Sequence, residues 1–303
     1  MAEKKTCIII CGPTAVGKTR VAIEVAKKFG SSIISADSRQ CYRELNIGVA
    51  RPSESELAER PHYFIASHSI SENITAAYFE QYALQISAQL FRDNNVVVMV
   101  GGTGLYIKAF CEGLDAIPPA DKEVRELVTK GFESNGISWL KEEIKEKDPV
   151  FFSNGETDNP RRMMRALEVV LQTGKSILSF HGEKIVERPF SIIKIGLELP
   201  RPELYERIDL RVTEMMENGL LEEVKSLLPV KYLNALQTVG YRELFDHLEG
   251  NISLNEAVDQ VRRNTRRYAK RQLTWFKKDE AIHWFPPETA SVLQFLEKEN
   301  AGF

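Results

Sequence analysis

The chain has 303 residues, 43% apolar and 27% charged, ordinary values for a globular protein with enough length to bury a sizeable core. A formal net charge of −3 excludes a globally basic nucleic-acid binder, so any such binding has to come from local clusters of cations. No apolar run is long enough to cross a membrane, and residues 1–6 are too short and polar for a signal peptide, so a cytoplasmic location is expected.

The first element is the apolar run Cys7-Ile8-Ile9-Ile10-Cys11, read as a buried strand, and it leads into Gly12-Pro13-Thr14-Ala15-Val16-Gly17-Lys18-Thr19. That octet fits G-x-x-x-x-G-K-[ST], and a helical pattern over residues 18–29 follows it, which is the strand-loop-helix context a phosphate loop requires. Glycines let the backbone amides turn inward, and the helix N-terminus adds roughly half a positive charge, so the loop suits a pyrophosphate. Lys18 would hold phosphate oxygens as a point charge, and the Thr19 hydroxyl would ligate a bridging Mg²⁺. The loop reports a phosphate ligand and leaves the reaction open.

Residues 31–36 read as a second short buried strand ending at Asp37-Ser38-Arg39-Gln40. In an open parallel sheet ligands bind beyond the carboxyl ends of the strands, which puts Asp37 near the phosphate loop. A carboxylate there is a general base, a Mg²⁺ ligand or the cap of a following turn. Residues 41–73 look like loop with short elements, and His62 and His68 like loop or packing residues. An amphipathic helix is expected over 75–91.

Val96-Val97-Val98-Met99-Val100 is the clearest strand, and it runs into Gly101-Gly102-Thr103-Gly104. ATP hydrolases commonly end such a strand in a Mg²⁺-binding aspartate; glycines and a threonine stand here, which argues against a motor or switch ATPase. Thr103 offers a hydroxyl to a ligand, or caps the next helix.

After Pro118-Pro119 the strand signals stop until about residue 190. Residues 118–191 are therefore expected to form a helical insertion, with Asp158-Asn159-Pro160 starting a helix that carries Arg161, Arg162, Met163, Met164 and Arg165. A strand returns at 191–197, followed by one long helix over 202–228 with Arg207 and Arg211 a turn apart. Another helix begins near Val239-Gly240-Tyr241. The last helix, about 254–278, holds eight cations from Arg262 to Lys278 with Tyr268, Trp275 and Phe276 interleaved and no acid between. Such a surface fits a nucleic-acid backbone, closure of the phosphate site, or a solvated face. Ile282-His283-Trp284-Phe285 looks like a closing strand. The four cysteines, Cys7, Cys11, Cys41 and Cys111, keep no metal-ligand spacing and read as buried reduced thiols.

Taken together, the phosphate loop, Ser35-Ala36-Asp37-Ser38-Arg39-Gln40, Gly101 to Tyr106, Asp158-x-Pro160-Arg161-Arg162, Leu204-Tyr205-x-Arg207-Ile208, Val239-Gly240-Tyr241 and Arg271 to Phe276 resemble the tRNA dimethylallyltransferase family in order and spacing over almost the whole chain. The resemblance implies an α/β fold, a P-loop NTPase-like parallel sheet core with an inserted small helical domain. It implies transfer of a dimethylallyl group from dimethylallyl diphosphate to the exocyclic amine of the adenosine 3′ of the anticodon, flipped into a channel. The loop from Gly12 to Thr19 then holds the donor's diphosphate rather than ATP. By the same resemblance Asp37 is the general base, Thr103 contacts the reacting centre, and Lys18 and Arg211 stabilise departing diphosphate with Mg²⁺ on Thr19. Asp37, Ser38, Arg39, Gln40, Thr103, Arg125 and Arg161 to Arg165 fall on the family's tRNA-contacting segments. Residues 1–117 and 192–303 would be the catalytic core and 118–191 the tRNA-contacting insertion, in a monomer. The absence of C-x-x-C with paired histidines before Phe303 suggests the bacterial type without a zinc finger. An adenylate isopentenyltransferase or a small-molecule P-loop kinase are the alternatives.

Overall fold

In the computed structural model, which describes residues 5–182 and 186–300, the chain falls into two compact units, residues 1–112 with 187–303, and residues 113–186. The second unit begins and ends a few residues before the expected 118 and 191.

The first unit is built in chain order from β1 (Thr6–Cys11), α1 (Lys18–Lys28), β2 (Ile33–Ser35), α2 (Glu54–Glu59), β3 (His62–Tyr63), α3 (Ala76–Asp93), β4 (Val96–Gly101) and α4 (Gly104–Glu112). The second unit contributes α5 (Lys122–Lys147), α6 (Pro149–Asn154) and α7 (Pro160–Thr173). The first then resumes with β5 (Ser191–Leu197), α8 (Arg201–Glu217), α9 (Leu220–Leu227), α10 (Tyr241–Leu248), α11 (Leu254–Phe276), β6 (Ile282–Phe285) and α12 (Thr289–Asn300).

The six strands form one sheet in the order β3-β2-β4-β1-β5-β6, parallel at every pairing. Every residue of β1 and of β4 is buried, as expected of strands covered on both faces. Side chains alternate along β1. Cys7, Ile9 and Cys11 join a core with Phe79, Phe110 and Tyr241, whereas Ile8 and Ile10 join another with Val21, Leu204 and Leu296. In register, Cys11 lies opposite Gly101 of β4 on one side and Gly196 of β5 on the other. The loop after β1 therefore leaves the sheet between two strand ends, where the connections turn to opposite sides, the position at which open α/β sheets hold ligands.

Two elements differ from expectation. The long helix over 202–228 is two helices, because α8 stops at Glu217 and Gly219 takes a left-handed φ of 95° before α9 starts. The apolar spacing continues across the break, since Ile208, Val212, Leu220 and Val224 are all buried. The tail also goes beyond a closing strand, with α12 laying Val292 and Leu296 in the core beside α1. The four cysteines are buried and free.

The second unit has its own core of Val128, Leu140, Ile144, Phe151, Met163 and Leu167. Asn159 caps α7, its Oδ1 accepting from the amides of Arg161 at 3.1 Å and Arg162 at 3.4 Å, with Pro160 in the first turn. α5 bends at Gly136, whose φ is 72°. Among the described residues no helix is long and apolar enough to cross a membrane.

Candidate active site

The phosphate loop is shaped by what a side chain would strike. Gly12 sits at φ 141°, and a Cβ there would lie 2.5 Å from the Leu197 carbonyl. Gly17 takes φ 102° and precedes α1, whose first turn carries no acidic residue and no side-chain cap. The amides at that helix end are open to an anion. Lys18 folds back over the loop, its Nζ donating to the Pro13 carbonyl at 2.7 Å. From α8, Arg211 Nη1 donates to Thr14 Oγ1 at 3.4 Å. Burial, with the Arg211 guanidinium second and Asp37 opposing, lowers the Lys18 ammonium to about 8. Burial likewise lowers Arg211. Two cations drawn close inside a shared pocket are costly when no anion lies between them.

Asp37 follows β2 and is half-buried. Its Oδ1 accepts from the amides of Arg39 at 2.9 Å and Gln40 at 3.2 Å. The carboxylate thus caps the turn, and both of those bonds fall on a single oxygen. Thr103 Oγ1 accepts from the Ser38 amide at 3.0 Å, and its own amide donates to the Ala36 carbonyl at 3.2 Å. Those bonds tie the end of β4 to the Asp37 turn. Thr103 does not line the cavity described next, nor does Ser38; their placement orients Asp37. Gln40 is also engaged, its Nε2 donating to the carbonyls of Val49 at 3.2 Å and Ala50 at 2.9 Å.

A cavity of about 390 Å³ opens above these strand ends, lined by Thr14, Lys18, Thr19, Asp37, Arg39 and Arg211 among others. Residues 48–52, Val212, Met215 and Tyr268 complete its wall. A neighbouring cavity of about 920 Å³ shares Ala50, Arg51, Pro52, His62 and Arg211 with it. Burial lowers His62, whose Nδ1 bonds the Arg60 carbonyl at 2.8 Å while Nε2 has no partner. His62 borders both cavities, a place in the fold that reading it as a loop or packing residue did not anticipate.

The glycines after β4 serve packing. A Cβ on Gly101 would strike Ala36, one on Gly102 the Gln272 side chain, and one on Gly104 the Trp275 ring. Gln272, buried on α11, bridges the loop and this turn: Oε1 accepts from the Thr14 amide at 2.8 Å, and Nε2 donates to the Gly102 carbonyl at 2.9 Å. Sequence reasoning quoted Gln272 within a motif without seeing this bridge, because its partner Thr14 lies 258 residues away.

Of the residues expected to meet tRNA on the second unit, Arg161 and Arg162 are exposed and Met164 is half-buried. Met163 is a correction: its side chain is fully buried in that unit's core and offers no surface. Arg165 and Arg125 pair with the buried Glu168 at 3.3 and 3.6 Å, and Arg165 also donates to the Pro118 carbonyl at 2.6 Å. Arg125 therefore joins α5 to α7, and Arg165 ties α7 to the segment before α5. Arg162 pairs with Glu156.

The cations of α11 divide into two sets. Arg262 donates to Thr213 at 3.1 Å, and Arg266 Nε to Asp209 at 3.1 Å. Lys277 lies 2.7 Å from Glu198 and over the Trp284 ring. The second set, Arg263, Arg267, Lys270 and Arg271, is exposed, and its spacing puts these cations along one face of the helix, with Lys278 exposed just beyond the helix end.

Residues 40–279 match the family described as IPP transferase. The chain is 48% identical over 294 residues to the tRNA dimethylallyltransferase of Christiangramia forsetii, covering 96% of this chain and 97% of that one. It is 44% identical over 296 residues to tRNA dimethylallyltransferase 1 of Bacteroides thetaiotaomicron, covering 97% and 96% respectively. Among solved structures it is similar to the full-length tRNA isopentenylpyrophosphate transferase from Bacillus halodurans, with TM-score 0.73 and 34% identity over 99% of this chain and 96% of that one.

Proposed function

The chain belongs to the tRNA dimethylallyltransferase (IPP transferase) family, and from that premise we propose how its residues divide the reaction among themselves. The protein transfers a dimethylallyl group from dimethylallyl diphosphate to the exocyclic amine of the adenosine 3′ of the tRNA anticodon and releases diphosphate. The donor's diphosphate lies on the loop from Gly12 to Thr19, against the N-terminus of α1, with Lys18 and Arg211 as its cations. What supports this is the pair itself: both line one cavity with Thr14, Thr19 and Asp37, and burial of each, with the Arg211 guanidinium adding to it at Lys18, disfavours their charge until an anion arrives.

The exocyclic amine is a poor nucleophile because its lone pair is delocalised into the ring. As the N–C bond forms and the C–O bond to diphosphate breaks, the amine proton passes to the Asp37 carboxylate. Oδ1 of that carboxylate is fixed by the turn. Thr103, through the Ser38 amide, holds the turn in place and acts as a positioning residue. Negative charge collects on the leaving oxygens, where Lys18, Arg211 and the α1 amides stabilise it.

A divalent cation fits the donor chemistry of the cavity. Among the described residues no cluster of three or more His, Cys, Asp or Glu forms a metal cage, so the Thr19 hydroxyl with the donor's own oxygens would hold the ion, the pattern Mg²⁺ prefers with phosphates. When bound, it neutralises charge on the diphosphate.

The tRNA anticodon stem-loop would be gripped through Arg39 beside Asp37, through Arg161, Arg162 and Met164 on α7, and through the exposed face of α11. A monomer acting on cytoplasmic tRNA suffices. Mass spectrometry of nuclease fragments after reaction with an anticodon stem-loop tests the reading. One dimethylallyl unit is expected on the nucleotide 3′ of the anticodon, and its appearance elsewhere would refute it.

A further inference from the structure

Residues 46–52 form no helix or strand, yet Gly48, Val49, Ala50, Arg51 and Pro52 line the proposed donor cavity. Backbone groups in such a wall need partners. The Ala50 and Arg51 amides bond within the segment, and a single carboxylate from α9 takes the three amides of residues 46–48. Glu223 Oε2 accepts from the amides of Asn46 at 3.1 Å and Ile47 at 2.8 Å, and Oε1 from the Gly48 amide at 3.0 Å and the Tyr241 hydroxyl at 2.6 Å. Four donors saturate the two oxygens, and each bond is charge-assisted. On the carbonyl side, Gln40 Nε2 holds Val49 and Ala50.

Tyr241 adds shape to this charge. Its ring is fully buried and fills the space where a Gly48 side chain would stand, since a Cβ there would lie 2.6 Å from the ring. Burial, and then the Glu223 carboxylate, push the Tyr241 hydroxyl up, so it remains a donor. Val49, Ala50 and Pro52 face the cavity with Val212 and Met215, an apolar wall suited to a short allylic chain. The same Ala50, Arg51 and Pro52 border the adjoining cavity of about 920 Å³, so the segment partitions the two spaces.

We infer that Glu223, which lines neither cavity, is a positioning residue: with Tyr241 it holds residues 46–52 as the fixed wall that sets how closely the prenyl chain of the donor is fitted. The inference rests on the prenyl-transfer reading and adds the element that governs donor fit. A loosened wall enlarges the donor cavity toward its neighbour and lets longer chains or water enter.

The test uses the full-length enzyme and two variants, Glu223→Gln and Tyr241→Phe. Glu223→Gln keeps the size but turns one acceptor into a donor facing amides that also donate. Tyr241→Phe keeps the ring and removes one bond. Without substrates, hydrogen exchange across residues 44–52 is expected to quicken about tenfold or more in Glu223→Gln, while β4 is unchanged. In steady state, the KM for dimethylallyl diphosphate is expected to rise about tenfold with the KM for the stem-loop unchanged. Selectivity for dimethylallyl over geranyl diphosphate is expected to fall. Tyr241→Phe should show the same pattern more weakly, and it carries the measurement if Glu223→Gln does not fold. Unchanged exchange in this segment, or equal changes in both KM values with selectivity intact, would overturn the inference. A wild type that prenylates no stem-loop would refute the functional reading instead, and the exchange measurement would still decide whether Glu223 holds the wall.

Discussion

Lys18 provides a perturbation whose two consequences run in opposite directions. Its ammonium is lowered from the ordinary 10.5 to about 8, because burial and the Arg211 guanidinium disfavour the charged form more than Asp37 restores it. The free enzyme therefore loses this charge as pH rises through about 8, while the diphosphate is best held by the charged form. Near pH 9 only about a tenth of the lysine is protonated, so donor affinity is expected to fall about tenfold from its value near pH 7. Folding stability has the reverse sign. Between about 8 and 10.5 the unfolded chain retains a proton that the native Lys18 has released, so this residue's contribution to stability rises with pH across that window. Calorimetric titration of dimethylallyl diphosphate, in buffers of differing ionisation enthalpy, measures both the affinity and the proton taken up on binding. Arg211→Ala removes the like charge and is expected to move the break upward, even as it weakens binding. A flat affinity between about pH 7 and about pH 9, with no proton uptake, would refute the reasoning.

Asp37→Asn preserves an acceptor for the turn and removes the base, and is expected to lower kcat by about 10²–10⁴ with donor binding retained; near-wild-type turnover would reduce Asp37 to a cap. Gln272→Ala leaves the Thr14 amide and the Gly102 carbonyl without their partner, so chemical denaturation should show a loss of about 1–3 kcal/mol, accompanied by weaker donor binding. Arg161→Ala should weaken stem-loop binding and make its salt dependence shallower by about one counterion without changing Tm. Arg165→Ala should lower Tm as well, because it strips the buried Glu168 of one partner and the Pro118 carbonyl of its donor. Equal effects of these two arginines on Tm would contradict the roles given them.

The parts of this protein legible from its sequence were those whose determinants are local. An unbroken apolar run needs burial on both faces, so β1 and β4 could be read as central parallel strands. Gly12 and Gly17 mark a loop whose backbone only glycine adopts easily. The break between α8 and α9 was not legible, because the apolar spacing from Ile208 to Val224 continues in phase through Gly219. Nor was α12, a short closing segment anchored by Val292, Leu293, Phe295 and Leu296. At the site, Lys18, Thr19 and Asp37 were nameable because loop and strand-end positions carry them. The roles of Glu223 and Gln272 were not, because the backbone groups they hold lie 175 to 177 and 170 to 258 residues away and no local pattern records such contacts. For the same reason a count of cations overstated the free ones: Arg125, Arg165 and Arg266 have carboxylate partners that only the folded chain brings to them.

The most direct measurement is a competition between acceptors. The enzyme is incubated with labelled dimethylallyl diphosphate and equal concentrations of an anticodon stem-loop and AMP, at about 50 mM and about 200 mM salt. Label is expected on the stem-loop alone, with affinity falling by roughly three orders of magnitude between the two salts if about six phosphates are contacted. Label on AMP at comparable efficiency, or a flat response to salt, would contradict a tRNA-modifying enzyme and point to one that acts on a free nucleotide.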